Sequence, residues 1–294
     1  HPFGCHPAME GIQHRSLTNS EVTIHLMIRR PVVAGQFYPQ TEASLRKMLS
    51  GLIDPASEKQ DAIGVIMPHA GYVYSGQVAG LTISKVELKK TVIILGTNHT
   101  GRGEKFSIMT SGSWMTPLGE VKIDSEIAGS ILKEGHLLKE DTLAHLQEHS
   151  IEVEIPFLQY LKNDIKIVPI SVSPQAELSE CQKIGEDIAN GFKKIGRSGL
   201  FMASTDMTHY ESEEDAKGKD RLAIDAILDM NEEKLFNVVK EKDLSMCGLP
   251  ATCVLISVCK NLGAKKAGLV KYQTSGDTSG DYSSVVGYAG MIIW

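Results

Sequence analysis

Three histidines follow three short apolar runs. Pro68-His69-Ala70-Gly71-Tyr72 comes after Ile63–Met67, and Gly96-Thr97-Asn98-His99-Thr100-Gly101 comes after Val92–Leu95. Ser204-Thr205-Asp206-Met207-Thr208-His209-Tyr210 comes after the run that begins at Leu200. Taken singly, His69 reads as a packed turn residue, His99 as a loop residue and His209 as the cap of a helix starting near Glu211. Taken together they point to chemistry, because sites in open α/β sheets lie beyond the carboxyl ends of the strands. Neutral imidazoles meeting at one edge suit a divalent transition metal, and an anionic third ligand would complete the set. Asp206, Glu148 and Cys247 are the candidates. The His69–His99 spacing is too long for a finger-type zinc motif and fits ligands delivered by two different strands.

Cys247 lies in Ser245-Met246-Cys247-Gly248-Leu249-Pro250, a turn that opens a helix, with Pro250 at a first-turn position. The helix dipole and free N–H groups there would favour a thiolate, either as a metal ligand or as a nucleophile. Cys181, Cys253 and Cys259 read as small apolar residues of helix cores. Glu148-His149-Ser150-Ile151-Glu152 lacks the second histidine of HExxH, so a zincin protease is excluded. His149 is expected to support the site. Asp206 and His209 are three residues apart and could pair on one helical turn, which would fix the tautomer of a general base. The Gly-rich stretches 96–103 and 275–282 lack the order of a phosphate-binding loop.

The elements that must place these residues alternate. Strand candidates are Ile63–Met67, Val92–Leu95, Ile165–Val172, Leu200–Ala203, Ala267–Gln273 and Val285–Ile293. Helix candidates are Ser75–Lys85, Ser125–Lys133, Leu146–Leu161, Gln175–Lys194, Asp215–Leu228 and Pro250–Leu262. Continuous apolar strands alternating with helices predict a single α/β domain over 27–294, with a mostly parallel central sheet flanked by helices. The 294 residues are 42% hydrophobic and 22% charged, enough for a sizeable core. A net charge of -6 argues against nucleic acid as a partner. No apolar run approaches the ~20 residues of a membrane helix. Five cysteines without a CxxC pair argue against a disulfide scaffold and point to a reducing cytoplasm. Residues 1–26 carry four histidines without regular spacing and read as an appended or disordered extension.

At these residues the chain resembles the Memo family. The matching stretches are 30–39 (Arg-Pro-Val-Val-Ala-Gly-Gln-Phe-Tyr-Pro), 68–72 with Ser75-Gly76, 96–99, 148–152, 204–209, 246–248 and 287–290. They run in order from Arg30 nearly to the end of the chain. The family is similar in fold to class III extradiol ring-cleaving dioxygenases, which hold non-haem Fe(II) with two His and one carboxylate. By that resemblance His69 and His99 are metal ligands, Cys247 takes the carboxylate position and His209 is the acid/base. A thiolate in that position softens the site and shifts its preference toward copper(I), zinc or thiolate-tolerant iron. Family members have been discussed as metal-binding redox proteins and as adaptors for phosphorylated peptides. Microbial members are grouped with a radical SAM protein.

Three functions follow as expectations. The first is a metal-dependent redox enzyme acting on a small molecule or peptide. In it His69, His99 and Cys247 bind Fe(II), copper or zinc, and His209 moves a proton under the orientation of Asp206. His149 assists, and Tyr72 and Asn98 contact substrate. The second is a non-catalytic module that binds a peptide or anion in the same cleft, with Arg102 among its donors. The third is a hydrolase pairing Cys247 with His209.

Overall fold

A computed structural model describes residues 28–294, so the expected extension over 1–26 lies outside the described residues. Twelve strands form one sheet: β1 (Ile28–Arg29), β2 (Gly64–Met67), β3 (Thr91–Thr97), β4 (Phe106–Ile108), β5 (Ser113–Thr116), β6 (Gly119–Ile123), β7 (Lys139–Glu140), β8 (Lys166–Val172), β9 (Leu200–Ser204), β10 (His209–Glu211), β11 (Ala267–Thr274) and β12 (Val285–Ile293). The order along the sheet is β1-β5-β6-β8-β3-β9-β2-β12-β10, with β11 on β12 and β4 between β8 and β7. From β6 across β8, β3 and β9 to β2 every pairing is parallel. The edge beyond β2 is antiparallel, through β12 with β11 and β10. The predicted architecture therefore holds, with β12 running against the central strands at one edge and β5 and β4 running against β6 and β8 toward the other.

The central strands are buried because the chain covers both of their faces with helices. Every residue of β2, β3 and β9 is buried, which is the reason for their unbroken apolar runs. The helix Leu249–Asn261 lies against β9, β3 and β2, and the helix Leu178–Ile195 packs on it. The helix Tyr72–Ser84 packs against β2, β11 and β12. Two further helices of ten or more residues, Glu42–Leu52 and Glu232–Glu241, have no counterpart in the sequence reading. Their start signals are nonetheless in the chain, since Thr41 and Asn231 accept from the backbone N–H groups of Ser44 and Lys234. Among the described residues no helix is long and apolar enough to cross a membrane.

One predicted helix is corrected. Leu146–Leu161 is helical only over Ile155–Leu161, behind two short 3-10 turns at Leu143–His145 and Glu152–Glu154. Pro156 is the cause. It has no N–H to give and its ring would strike the carbonyl four residues back, so it fits only the first turn. Residues 145–154 thus run irregularly over the carboxyl ends of the strands, and Arg29 holds them there. Its Nε donates to the His145 carbonyl at 3.0 Å, and its terminal nitrogens donate to the Glu148 carbonyl and the Glu152 carboxylate. The guanidinium also lies 4.3 Å from the centroid of Trp114. Glu152 further accepts from the Tyr38 hydroxyl at 2.6 Å and from the N–H groups of Val32 and Val33. Both partners of the ion pair are buried.

Removing one partner of a buried ion pair strands the other, at a cost of about 3–5 kcal/mol. Arg29→Met should lower unfolding stability by about that amount in urea titrations. A midpoint equal to wild type would refute the anchoring role.

Candidate metal centre

β2, β9 and β3 lie side by side and parallel, so their carboxyl ends open on one edge. His69 follows β2, Asp206 follows β9 and His99 follows β3. Cys247 arrives from the turn before the helix Leu249–Asn261. Two glycines let these segments close up. A Cβ on Gly96 would sit 2.4 Å from Ile151 Cγ1, and one on Gly248 would sit 2.4 Å from Thr205 Cβ. No side chain larger than hydrogen fits either place.

One potential ligand atom each from His69, His99 and Cys247 lies within 4.8 Å of the other two. His69 Nε2 is 3.4 Å from Cys247 Sγ, and the rings of His69 and His99 are 5.2 Å apart, edge to face. The opposite ring nitrogens are held from behind. His69 Nδ1 is 2.8 Å from Ser204 Oγ, and His99 Nδ1 is 2.9 Å from Glu148 Oε1. Each imidazole therefore has one nitrogen fixed by the protein and the other available, the arrangement by which outer residues orient metal-ligating histidines. His149 stacks on His99 at 4.7 Å and faces His69 at 5.4 Å, with Phe37 behind it at 4.9 Å.

Burial disfavours charge on two of these imidazoles, His69 and His149. Burial, followed by the nearby His149, His99 and His209 rings, holds the His69 pKa well below the usual 6.5. Burial likewise lowers His149, against the pull of Glu148. Burial also opposes the charge on Glu148. Hydrogen bonds from His99 and the Ser150 N–H outweigh it and hold that carboxyl at about 2. The expected helix-terminus activation of Cys247 is reversed. Loss of solvent around the sulfur, reinforced by the Asp206 carboxylate, pushes the thiol up to about 12. A cation at the site would invert that balance, since a coordinating thiol gives up its proton to the metal.

Several sequence expectations change. Asp206 and His209 do not share a helical turn, because His209 begins β10 and the following helix starts only at Glu213. His209 Nδ1 lies 2.7 Å from the Met207 carbonyl and 2.9 Å from that of Ser245, so backbone, not Asp206, orients its ring. Asp206 instead accepts from the His69 N–H at 2.9 Å, and its own N–H faces Cys247 Sγ at 3.2 Å. The imidazole in contact with the Cys247 sulfur is His69. Tyr72 is buried against Phe157, with its hydroxyl on the Val153 carbonyl. Asn98 is buried too, and its amide closes the 98–102 turn through Arg102 O, Thr100 Oγ1 and the Gly101 N–H. Both hold the frame of the site through these bonds. Ser204 and Glu154, which the sequence reading passed over, stand behind His69. The sequence signal for Glu154 is an acidic residue set just before the apolar run Ile155–Leu158.

The chain matches the family model described as Memo-like protein over residues 29–292. A MEMO1 family protein of Methanopyrus kandleri is 41% identical over 90% of this chain and 99% of its own length. One of Methanothermobacter thermautotrophicus is 40% identical over 90% and 99%. A crystal structure of an uncharacterized protein from Escherichia coli K12 superposes with a TM-score of 0.46 at 10% identity, covering 78% of this chain and 98% of that one.

Glu148 predicts a pH dependence. Its folded pKa of about 2 lies below the ordinary 4.5, so its contribution to stability is complete above about pH 5. That contribution fades as pH falls toward about 2. Urea titrations across this range should show wild type more stable than Glu148→Gln near neutrality, with the gap closing in acid. A gap that stays constant with pH would contradict the ionised carboxylate.

Proposed function

We propose that this chain, which belongs to the Memo-like protein family, binds one transition-metal ion through His69, His99 and Cys247 and uses it in redox chemistry. The observation that carries this reading is the meeting of two imidazoles and a thiol, from three separate segments, within 4.8 Å. The donor set fits such an ion. Two borderline nitrogens and one soft sulfur suit iron, copper or zinc and are poor for magnesium or calcium. A bound iron or copper would supply a one-electron couple, and zinc would supply Lewis acidity alone.

The protein's own groups have separable tasks. Glu148 and Ser204 fix the rings of His99 and His69. Asp206 ties the backbone of His69 to the Cys247 turn. His209, with Nδ1 against two carbonyls, carries its free lone pair on Nε2 and serves as the proton acceptor. His149, half-buried over His99, lines the approach for a small molecule or peptide.

The test is metal content of the full chain purified without oxygen, beside His69→Ala and Cys247→Ala. We expect about one equivalent of iron or copper to be lost in each variant while any metal held elsewhere remains in all three. Oxygen consumption should then follow the bound metal and fall in His209→Ala at unchanged metal content. Equal metal in all three proteins, or none after reconstitution, would overturn the reading and favour a peptide- or anion-binding cleft.

A further inference from the structure

Glu154 is buried at the end of a 3-10 turn, two residues after Glu152. The two acids live in opposite surroundings. Glu152 meets Arg29, a tyrosine hydroxyl and two backbone N–H groups. Glu154 meets one hydroxyl, Ser204 Oγ at 2.8 Å, and its Oε2 is buried without a partner.

Ser204 Oγ stands at a junction of three contacts. It lies 2.7 Å from the Ser150 carbonyl, 2.8 Å from Glu154 Oε1 and 2.8 Å from His69 Nδ1. A serine hydroxyl has one proton and two lone pairs. The Ser150 carbonyl can only accept, so the single serine proton goes there. The two remaining contacts must then be donations to Ser204. One comes from His69 Nδ1–H, and the other can come only from a protonated Glu154. A carboxylate at this position would compete with the Ser150 carbonyl for the one serine proton, leaving one of the two close oxygen pairs without a proton between them. The surroundings agree, since burial, opposed by the Ser204 contact and reinforced by the nearby Asp206 charge, raises the Glu154 pKa well above its usual value.

We propose that Glu154 is a neutral carboxylic acid and a positioning residue: its O–H, through Ser204, fixes His69 as the Nδ1–H tautomer with Nε2 turned toward Cys247. The acid contributes a donor where a carboxylate would draw the serine proton away from Ser150. It also brings no negative charge close behind the ligand. The metal-centre reading gives this tautomer its purpose, but the proton assignment stands on contacts that contain no metal.

The test uses the metal-free full-length chain first. Infrared difference spectra between wild type and Glu154→Gln at neutral pH should show the carbonyl stretch of a protonated carboxyl, lost in the variant. Histidine nitrogen NMR, with the signals assigned by their loss in His69→Ala, should show the Nδ1–H form in both wild type and Glu154→Gln, because the glutamine amide also donates. Zn(II) added as a probe should bind wild type and Glu154→Gln alike and bind Glu154→Leu about 10–100-fold more weakly. No protonated carboxyl in wild type would overturn the assignment, as would a Glu154→Gln variant that loses the tautomer or weakens Zn(II) as much as Glu154→Leu. If Glu154→Leu does not fold, the spectra of wild type and Glu154→Gln still decide. If the spectra hold and Zn(II) binds none of the proteins, the Glu154 assignment is supported and the metal-centre reading fails.

Discussion

The buried pair of Arg29 and Glu152 fixes the segment on which the candidate site depends. Residues 145–154 form neither strand nor α-helix, so no regular ladder of backbone hydrogen bonds holds them. Arg29 supplies that missing order from the first described strand, reaching the carbonyls of His145 and Glu148 and the Glu152 carboxylate. From this one segment come Glu148 on His99, Ser150 on Thr97 and Ser204, the Val153 carbonyl on Tyr72, and Glu154 on Ser204. The strands deliver the two candidate histidine ligands, and the segment that Arg29 anchors sets the direction in which their rings face. Such a pair adds little net stability over an apolar replacement of both partners, but the loss of one partner is costly.

The second constraint is charge. Rings of His69, His99 and His149 lie 4.7–5.4 Å apart, too close for several of them to be protonated together. The protein resolves this by burial, which favours the neutral imidazole, and by placing its ionised carboxylate, Glu148, on His99. The resulting arrangement offers lone pairs and a thiol to whatever occupies the edge of the sheet. Burial favours the protonated thiol of Cys247 until a cation shifts it to the thiolate.

Much of this was legible in the chain. Unbroken apolar runs mark the buried parallel strands, and the rule that sites lie past their carboxyl ends brings out His69, His99, Asp206 and His209. The turn before Pro250 brings out Cys247. What the sequence did not reveal depends on register and on local sterics. Ser204 matters because it stands opposite Met67, beside the strand that carries His69, and periodicity within one strand cannot show that. Tyr72 and Asn98 are one to three residues from the candidate ligands His69 and His99, and the bonds of their polar atoms to the Val153 carbonyl and within the 98–102 turn are set by tertiary placement that spacing does not show. The helix read over Leu146–Leu161 failed at Pro156, whose restriction on the preceding turn outweighs the apolar spacing there. The helices after Thr41 and Asn231 were missed although their capping residues are ordinary start signals.

X-ray absorption on the full-length protein loaded with one equivalent of Zn(II) tests the central claim most directly. The account predicts one sulfur scatterer at about 2.3 Å and two imidazole nitrogens at about 2.0–2.1 Å. A shell made only of nitrogen and oxygen would contradict it, because Cys247 would then stand outside the metal centre.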